Sequence, residues 1–324
     1  SCSEGNSRSV WYRFRPAQSA LYSLSVGLDT ATTVRDTVMA IYSSPSACNG
    51  PFTKVACNDD TYGSLRSALL LNLQAGVQYY AVVWEFDTNA PSALETTLQL
   101  RVAKPIAPAS DTCAAAEIIP SAGPFPHLTT LTDIALATTV ADPPAPICQT
   151  NLSRSVWYRF TPAATLGYRM STCEDTATTV ADTIMAVYTS ALCGAGPLPQ
   201  VACSDDDRSI IRAVVDTVLT AGATYHIVVW EYDIEPPVPG QTLVQLRITA
   251  SPPVFTRTTP LPGGRLQLNF NAVPGPLYTI QSATALTNWT PLGTVQNLSN
   301  GAHQFTVTNT ASPPRIFRVN SPIP

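Results

Sequence analysis

Short runs that alternate apolar and polar residues recur along the chain and predict β-strands. In residues 9–14, Val10, Tyr12 and Phe14 alternate with polar or amphipathic neighbours, which places the two sets on opposite faces of a strand. Turn residues separate further strand-length runs, namely 37–42, 69–73, 79–86 and 96–102. No segment shows helical periodicity over a helical length, so the pattern predicts an all-β protein of antiparallel sandwiches.

One stretch of sequence returns unchanged far along the chain. Residues 7–14, SRSVWYRF, recur as residues 153–160, an offset of 146. A constant offset with few gaps indicates duplicated domains rather than a solenoid of small units. We therefore predict two tandem jelly-roll-like antiparallel β-sandwiches, residues 1–104 and 105–250, and a third small β-sandwich, residues 254–324. The same offset relates 29–34 to 175–180 and 82–85 to 228–231.

The two copies differ in what precedes the shared SRSVWYRF motif. Residues 110–152 precede it in the second copy, but only residues 1–6 do so in the first. We expect the first sandwich to lack one or two leading strands and to have an open edge, which is an aggregation hazard unless it is covered. Either the chain is trimmed or a neighbouring molecule donates a strand. Residues 305–310 and 315–324 are the candidate donors.

Composition and charge narrow the function classes. The chain is 45% hydrophobic and 12% charged, with a net charge of −4, which excludes a disordered chain and predicts no nucleic-acid partner. The longest apolar run, residues 68–73, is strand-sized, so we expect no membrane span. Because the sequence opens on Ser1, we expect either a removed signal peptide or a piece of a larger protein.

Cysteine usage points to an oxidising compartment. The eight cysteines include no C-x-x-C pair and are accompanied by only three histidines, which argues against zinc, iron–sulfur and haem sites. An even number of cysteines in a β-rich chain favours disulfides, and disulfides favour an extracellular location.

The cysteine positions suggest particular disulfide pairs. Each copy carries two cysteines around a predicted hairpin loop, and we expect Cys48 to bond Cys57 and Cys193 to bond Cys203.

Four further cysteines leave the pairing open. Cys148 has Cys113 and Cys173 as alternative partners, and Cys2 occupies the position of Cys148 in the first copy. Cys2 is therefore the unmatched cysteine, with an intermolecular bond and a free thiol as the two alternatives.

Acidic residues that repeat between the copies suggest a cation site. Clustered carboxylates suit Ca²⁺, which takes six to eight oxygen ligands. The alternative is that the Asp-Asp pairs form turns through their own side-chain hydrogen bonds. The candidate ligands are Asp59, Asp60, Asp205, Asp206, Asp29 and Asp175.

The aromatic and histidine residues give weaker evidence of a functional site. Trp84 and Trp230 are candidate sugar-stacking platforms, although their apolar surroundings favour packing in the core. No H-E-x-x-H, G-x-S-x-G, phosphate-binding loop or dinucleotide motif occurs, and the three histidines lie far apart. We therefore expect no enzymatic activity.

Several motifs together resemble a known family. S-V-W-Y-R-F-x-P, S-T-C-x-D-T, D-T-x-M-A-V-Y, V-A-C-x-D-D and A-G-x-x-Y-x-x-V-V in the second copy resemble the bacterial pre-peptidase C-terminal type of β-sandwich. The resemblance covers both copies and implies a jelly-roll-like fold and a non-catalytic accessory or adhesive role in secreted hydrolases and surface proteins. Residues 278–319 are similar to the short β-modules that end many secreted bacterial proteins.

These expectations combine into two competing functions. The first is an extracellular structural or adhesive surface protein, extending to a filament subunit, that self-associates or binds other surface proteins by strand complementation. The second is a Ca²⁺- or carbohydrate-binding accessory module of a secreted hydrolase. Neither requires a cofactor other than Ca²⁺.

Overall fold

A computed structural model describes most of the chain. The described residues are 2–27, 30–61, 64–88, 93–140, 142–189, 193, 198–207, 211–233, 237–274, 276–308 and 315–320. The predicted all-β class is confirmed, because every regular element among these residues is a strand apart from two short 3₁₀ turns, Ala47–Asn49 and Cys113–Ala115.

The first sandwich contains seven strands in two antiparallel sheets. One sheet has the order β1-β6-β3-β4 and the other the order β5-β2-β7. The strands are β1 (Asn6–Phe14), β2 (Ala20–Ser25), β3 (Thr37–Ser43), β4 (Thr53–Asn58), β5 (Ala68–Leu73), β6 (Tyr79–Phe86) and β7 (Arg101–Ala103). Alternate residues of both sheets meet between them, and the buried core comprises Leu24, Val26, Met39, Ile41, Leu69, Leu73, Tyr79, Ala81 and Val83.

One predicted strand of the first copy is wrong over most of its length. Of residues 96–102, only the last two belong to β7. The preceding residues bond instead to the loop before β3: the N–H of Thr33 donates to Thr97 O (2.8 Å), and the N–H of Gln99 donates to the Thr32 hydroxyl (3.0 Å). A threonine side chain thus takes the place of a ladder hydrogen bond.

The second sandwich repeats these sheets and extends both. Its sheets have the orders β14-β13-β16-β11-β8 and β15-β12-β18-β9, with β10 and β17 as a separate two-stranded pair. The strands are β8 (Glu117–Ile119), β9 (His127–Leu128), β10 (Thr132–Asp133), β11 (Leu152–Phe160), β12 (Leu166–Ser171), β13 (Thr183–Thr189), β14 (Gln200–Ser204), β15 (Val214–Leu219), β16 (Tyr225–Tyr232), β17 (Leu243–Val244) and β18 (Arg247–Ala250).

The two additional strands come from one stretch of sequence. Strand β8 adds to the edge of β11, and β9 adds to the edge of β18. In the first sandwich, the corresponding edges belong to β1 and β7. These strands pair inward with β6 and β2, and no further strand among the described residues pairs with their outer edges. A single segment before the SRSVWYRF motif therefore widens both sheets of the second sandwich.

The C-terminal module has its own core between two sheets, of orders β19-β20-β24-β23 and β22-β21-β25. The predicted donor segments 305–310 and 315–324 contribute to β24 and β25, which pair with β20 and β21 of the same module. Their described residues are therefore not free to be donated. The strands are β19 (Val254–Leu261), β20 (Arg265–Asn271), β21 (Thr279–Ala283), β22 (Thr290–Thr294), β23 (Gln296–Ser299), β24 (Ala302–Val307) and β25 (Ile316–Asn320).

Chain packing separates two compact units. The first consists of Ser1–Pro108, Asp133–Ala137 and Ile234–Val244, and the second of Ala109–Thr132, Thr138–Asp233 and Gln245–Pro324. The predicted second domain, residues 105–250, thus contributes segments to both units. Among the described residues, no helix has the length and apolar character needed to span a bilayer.

Candidate functional site

The SRSVWYRF motif folds in the same way in both copies. A β-bulge interrupts the pairing at Arg8 and at Arg154, both of which have positive φ (36° and 43°). Each arginine then donates from Nε to a glutamate of the neighbouring strand, Arg8 to Glu85 at 2.6 Å and Arg154 to Glu231 at 2.5 Å. Because the motif has the same local structure in both copies, differences in its surroundings arise from the segments that pack against it.

The outer edge of this strand is covered in one copy and open in the other. Residues 158–160 of β11 pair in parallel with residues 117–119 of β8. The N–H of Trp157 also donates to the carbonyl of Ser110 (2.8 Å). Trp157 is consequently 1% exposed, whereas Trp11 at the same place on β1 is 52% exposed.

Residues 110–152, which we call the covering segment, supply a carboxylate that binds both tryptophans of the second sandwich. The indole N–H groups of Trp157 and Trp230 donate to Asp142 at 2.9 and 2.7 Å, and the Ser155 hydroxyl donates to it at 3.0 Å. Burial raises the pKa of Asp142, although these three donors act in the opposite direction. The carboxylate therefore fixes the segment to the sheet.

The uncovered face of the first sandwich forms an aromatic groove. A cavity of about 470 Å³ is lined by Trp11, Tyr12, Arg13, Cys48, Phe52 and Tyr80. The Phe52 ring lies 5.6 Å from that of Trp11 and 5.3 Å from that of Tyr80. An open apolar groove of this kind on an unpaired sheet edge is typical of a site for an added β-segment. We refer to it as the β1 groove.

The predicted disulfide pairs are wrong in the second copy. Cys113 is bonded to Cys193, and Cys148 to Cys203. The first bond ties the covering segment to the loop after β13, and the second ties the residues before β11 to β14. Cys193 and Cys203 are close in sequence, yet each bonds a cysteine of the leading segment.

The predicted disulfide of the first copy is also wrong. Cys48 and Cys57 are not bonded to each other. The Cys57 thiol instead lies beside Cys2, and partial burial together with this neighbour raises the pKa of Cys2 to about 11. Cys2 and Cys57 occupy the positions of Cys148 and Cys203, so Cys2 has a neighbouring cysteine with which it can pair. Cys48 occupies the position of Cys193, and it is the cysteine of the first copy for which the described residues supply no equivalent of Cys113.

Cys48 is exposed and lies at the β1 groove. Its Sγ is 3.8 Å from the hydroxyl of Tyr80. The corresponding Cys193 has its Sγ 3.6 Å from Nε2 of His226. Cys113, Cys193 and His226 also meet the distance requirement for a metal site, but the two sulfurs are bonded to each other and are not available as thiolate ligands. Cys173 is a free cysteine beside the Ser171 hydroxyl.

Two acidic clusters occur at equivalent places in the two copies. Asp59 and Asp60 meet Asp36, and Asp205 and Asp206 meet Asp182, with one carboxylate oxygen from each residue within 4.8 Å of the others in the cluster. Four of these residues are candidates from the sequence pattern, and the structure places Asp36 and Asp182 beside them.

In each cluster, the close approach of three carboxylates disfavours the state in which all three are ionised. Burial and the adjacent Asp205, Asp206 and Glu231 raise the pKa of Asp182 to about 6. Burial, Asp60 and Asp59 raise the pKa of Asp36 in the same way. Within the described part of the chain, one buried oxygen each of Asp36, Asp59 and Asp182 has no hydrogen-bond donor. A cation is the chemical species that would satisfy such oxygens.

The remaining candidate residues lie outside both acidic clusters or outside the described part of the chain. Asp175 is 84% exposed in its side chain and lies 3.5 Å from an Nη of Arg247. Trp230 is fully buried, so its ring offers no face to a sugar. The sugar-stacking candidate is wrong there, and the core packing that its apolar surroundings favoured is confirmed. Trp84 is partly buried on β6. Asp29 lies outside the described residues.

Comparisons with known proteins identify no family. No family model and no curated protein matches the chain. Solved structures that align with it include a fucolectin from striped bass serum (11% identity, 76% of this chain and 84% of that chain, TM-score 0.18). Two others are the CBM22 tandem domain of Paenibacillus barcinonensis Xyn10C (9%, 74% and 82%, 0.19) and the CBM32 domains of Clostridium perfringens ZmpB (9%, 75% and 80%, 0.21). TM-scores near 0.2 carry no argument about function.

Proposed function

We propose that this chain is a non-catalytic, secreted structural or adhesive protein of the bacterial surface whose first sandwich is completed by a β-segment of a neighbouring molecule. The contrast between Trp11, 52% exposed, and Trp157, 1% exposed, carries the proposal. The same strand is completed by an added segment in one copy, whereas in the other no described residue pairs with its outer edge. Both copies also resemble pre-peptidase C-terminal sandwiches, which supports an accessory or surface role.

Other features agree with secretion and with the absence of catalysis. The two disulfides of the second copy suit an oxidising environment. His226 and His303 are buried, and burial lowers the pKa of both. The sulfur nearest His226 belongs to a disulfide, so the pair does not form a nucleophile and base.

The open edge can be tested with matched lysine substitutions. Val10 on β1 is 43% exposed, and its counterpart Val156 is fully buried; Val55 on β4 is also 43% exposed, but its counterpart Val201 remains 39% exposed. Val10→Lys therefore places a charge where an added segment packs, whereas Val55→Lys places it on a surface that stays exposed in the completed sandwich.

The measurement is the size of the protein recovered from its own cell surface, by light scattering and electron microscopy. We expect the wild type and Val55→Lys in assemblies larger than a monomer, and Val10→Lys as a monomer. Wild-type protein that is monomeric at every concentration would contradict the proposal. Assemblies that Val10→Lys leaves intact would move the contact away from β1.

A second candidate function is supported by the paired acidic clusters. Three carboxylates converge in each copy and leave buried oxygens without donors. We propose that each cluster binds Ca²⁺ and thereby stabilises the end of its sandwich. This role is compatible with the structural one, since extracellular modules commonly bind Ca²⁺ weakly.

A further inference from the structure

The second sandwich shows what chemistry fits the β1 groove. Cys113 and Ala116 of the covering segment pack against the buried cluster that contains Trp157. Three residues beyond Ala116, Ile119 is 1% exposed and pairs with Phe160. Cysteine, alanine and isoleucine thus recur every third residue: the first two pack against the Trp157 cluster, and Ile119 is buried in the added strand.

Each of these contacts has an open counterpart in the first sandwich. Cys48 stands where Cys193 bonds Cys113, and Trp11 stands where Trp157 is covered. Tyr12 and Phe14 stand where Tyr158 and Phe160 pair with β8. The 470 Å³ cavity between Trp11, Cys48 and Tyr80 lies at the position that Cys113 and Ala116 fill in the other copy.

We infer that the β1 groove captures its partner covalently, through a disulfide between Cys48 and a cysteine of the incoming segment. The partner is a polypeptide segment of the pattern Cys-x-x-Ala-x-x-Ile, which runs parallel to β1 beside Tyr12 and Phe14. The inference rests on the proposed strand complementation and adds to it the identity of the bond and of the residues that the segment must carry.

The segment has to come from outside this chain's own sandwiches. Within the 324 residues, the pattern occurs once, at residues 113–119, and there the cysteine is bonded to Cys193. The described strands at the C-terminus are paired within their own module. The occupant is therefore a segment of this pattern other than residues 113–119.

The bond forms by two thiol–disulfide exchanges with a small-molecule disulfide such as oxidised glutathione. The Cys48 thiolate attacks one sulfur of the oxidant, and one glutathione thiolate leaves. The thiolate of the incoming cysteine then attacks the Cys48 sulfur, and the second glutathione thiolate leaves. Two thiols are oxidised to one disulfide, the oxidant is reduced to two thiols, and the thiol protons pass to the departing thiolates.

A synthetic peptide of residues 109–122 provides the probe. It is added with oxidised glutathione to the full-length oxidised protein, and adducts are located by mass spectrometry. We expect one peptide per chain on Cys48, formed roughly tenfold faster than at Cys173, because binding in the groove raises the effective concentration of the two thiols. Cys48→Ser should abolish this adduct, whereas Cys173→Ser, a matched change at another free cysteine, should leave it unchanged.

A Cys113→Ser version of the peptide separates capture from complementation. Its binding is followed by the tryptophan emission of the protein, with Trp11→Phe as the control that removes the reporter. A shift without preferential reaction at Cys48, or an adduct spread evenly over the free cysteines, overturns the covalent inference and leaves complementation standing. No shift and no adduct overturns both. An adduct at Cys193 would indicate exchange into the second sandwich and also overturns the inference.

Discussion

The indole N–H of Trp157 lies 2.9 Å from a carboxylate oxygen of Asp142, while the indole of Trp11, at the same point of the duplicated strand, has no hydrogen-bond partner in the described part of the chain. One residue of the covering segment thus holds two buried tryptophans. The remaining residues of that segment exclude water around it. The contrast makes the duplicated domain its own control, since most experiments on one copy can be matched in the other.

Replacement of Asp142 tests this anchor. Asp142→Asn keeps the size of the side chain but presents an N–H₂ group to one of the three donors. We expect the free energy of unfolding of the second unit to fall by about 2 kcal/mol, the usual value of a lost hydrogen bond to a charged group. Urea unfolding followed by tryptophan fluorescence measures it.

Asp133→Asn serves as the charge-matched control. Asp133 is exposed and accepts only a local hydrogen bond from the N–H of Ala135. We expect a change of about 0.5 kcal/mol or less. Equal effects of the two substitutions would show that the net charge, and not the anchor, is what matters.

The unequal burial of the paired tryptophans predicts unequal costs. Trp157→Ala removes a fully packed ring and should destabilise the second unit by about 4 kcal/mol. Trp11→Ala removes a half-exposed ring and should cost about 1 kcal/mol or less in the uncomplemented protein. Calorimetry of both variants provides the comparison, and similar costs would mean that the β1 groove is covered in solution.

The cysteine arrangement predicts one additional bond in the first copy. Because Cys2 lies beside Cys57 in the positions of Cys148 and Cys203, oxidation should link Cys2 to Cys57 and leave Cys48 free to be alkylated. The high pKa of Cys2 makes the thiolate scarce at neutral pH, so the bond should form faster as the pH rises toward 9. Peptide mapping under non-reducing conditions locates it, and a Cys48–Cys57 peptide would contradict the structure.

The acidic clusters predict a response to Ca²⁺ and to pH. The pKa of Asp182 is raised to about 6, so at a pH between about 4 and 6 its carboxyl is protonated in the folded state and ionised in the unfolded state. Without Ca²⁺, the free energy of unfolding should therefore rise as the pH falls from 6 to 4. Ca²⁺ needs the ionised carboxylates, so the increase in Tm that it produces should be larger at pH 7.5 than at pH 5.5.

Substitution at the clusters checks the origin of both effects. The double variant Asp36→Asn with Asp182→Asn should lose most of the pH response and of the Ca²⁺ response. Asp175→Asn, an exposed aspartate outside the clusters, should retain both. A Tm that Ca²⁺ leaves unchanged at pH 7.5 would remove the calcium proposal, whereas a response that persists in the double variant would place the cation elsewhere.

The sequence by itself determined the β-class and the duplication. Alternating residues such as those of 9–14 dictate strands through local geometry, and the offset between residues 7–14 and 153–160 is visible without any contact. These features depend on the order of residues along the chain.

Only the tertiary structure decided which cysteines pair and which carboxylates converge. Cys193 and Cys203 are neighbours in sequence, but a disulfide requires side chains that approach each other in space, and the leading segment brings Cys113 and Cys148 to them. Asp182 and Asp205 belong to separate parts of the sequence that meet only when the sheet is assembled. The role proposed for Cys48 also depends on the tertiary structure. The position of its partner cysteine is inferred from Cys113, which the covering segment brings to Cys193 in the second copy.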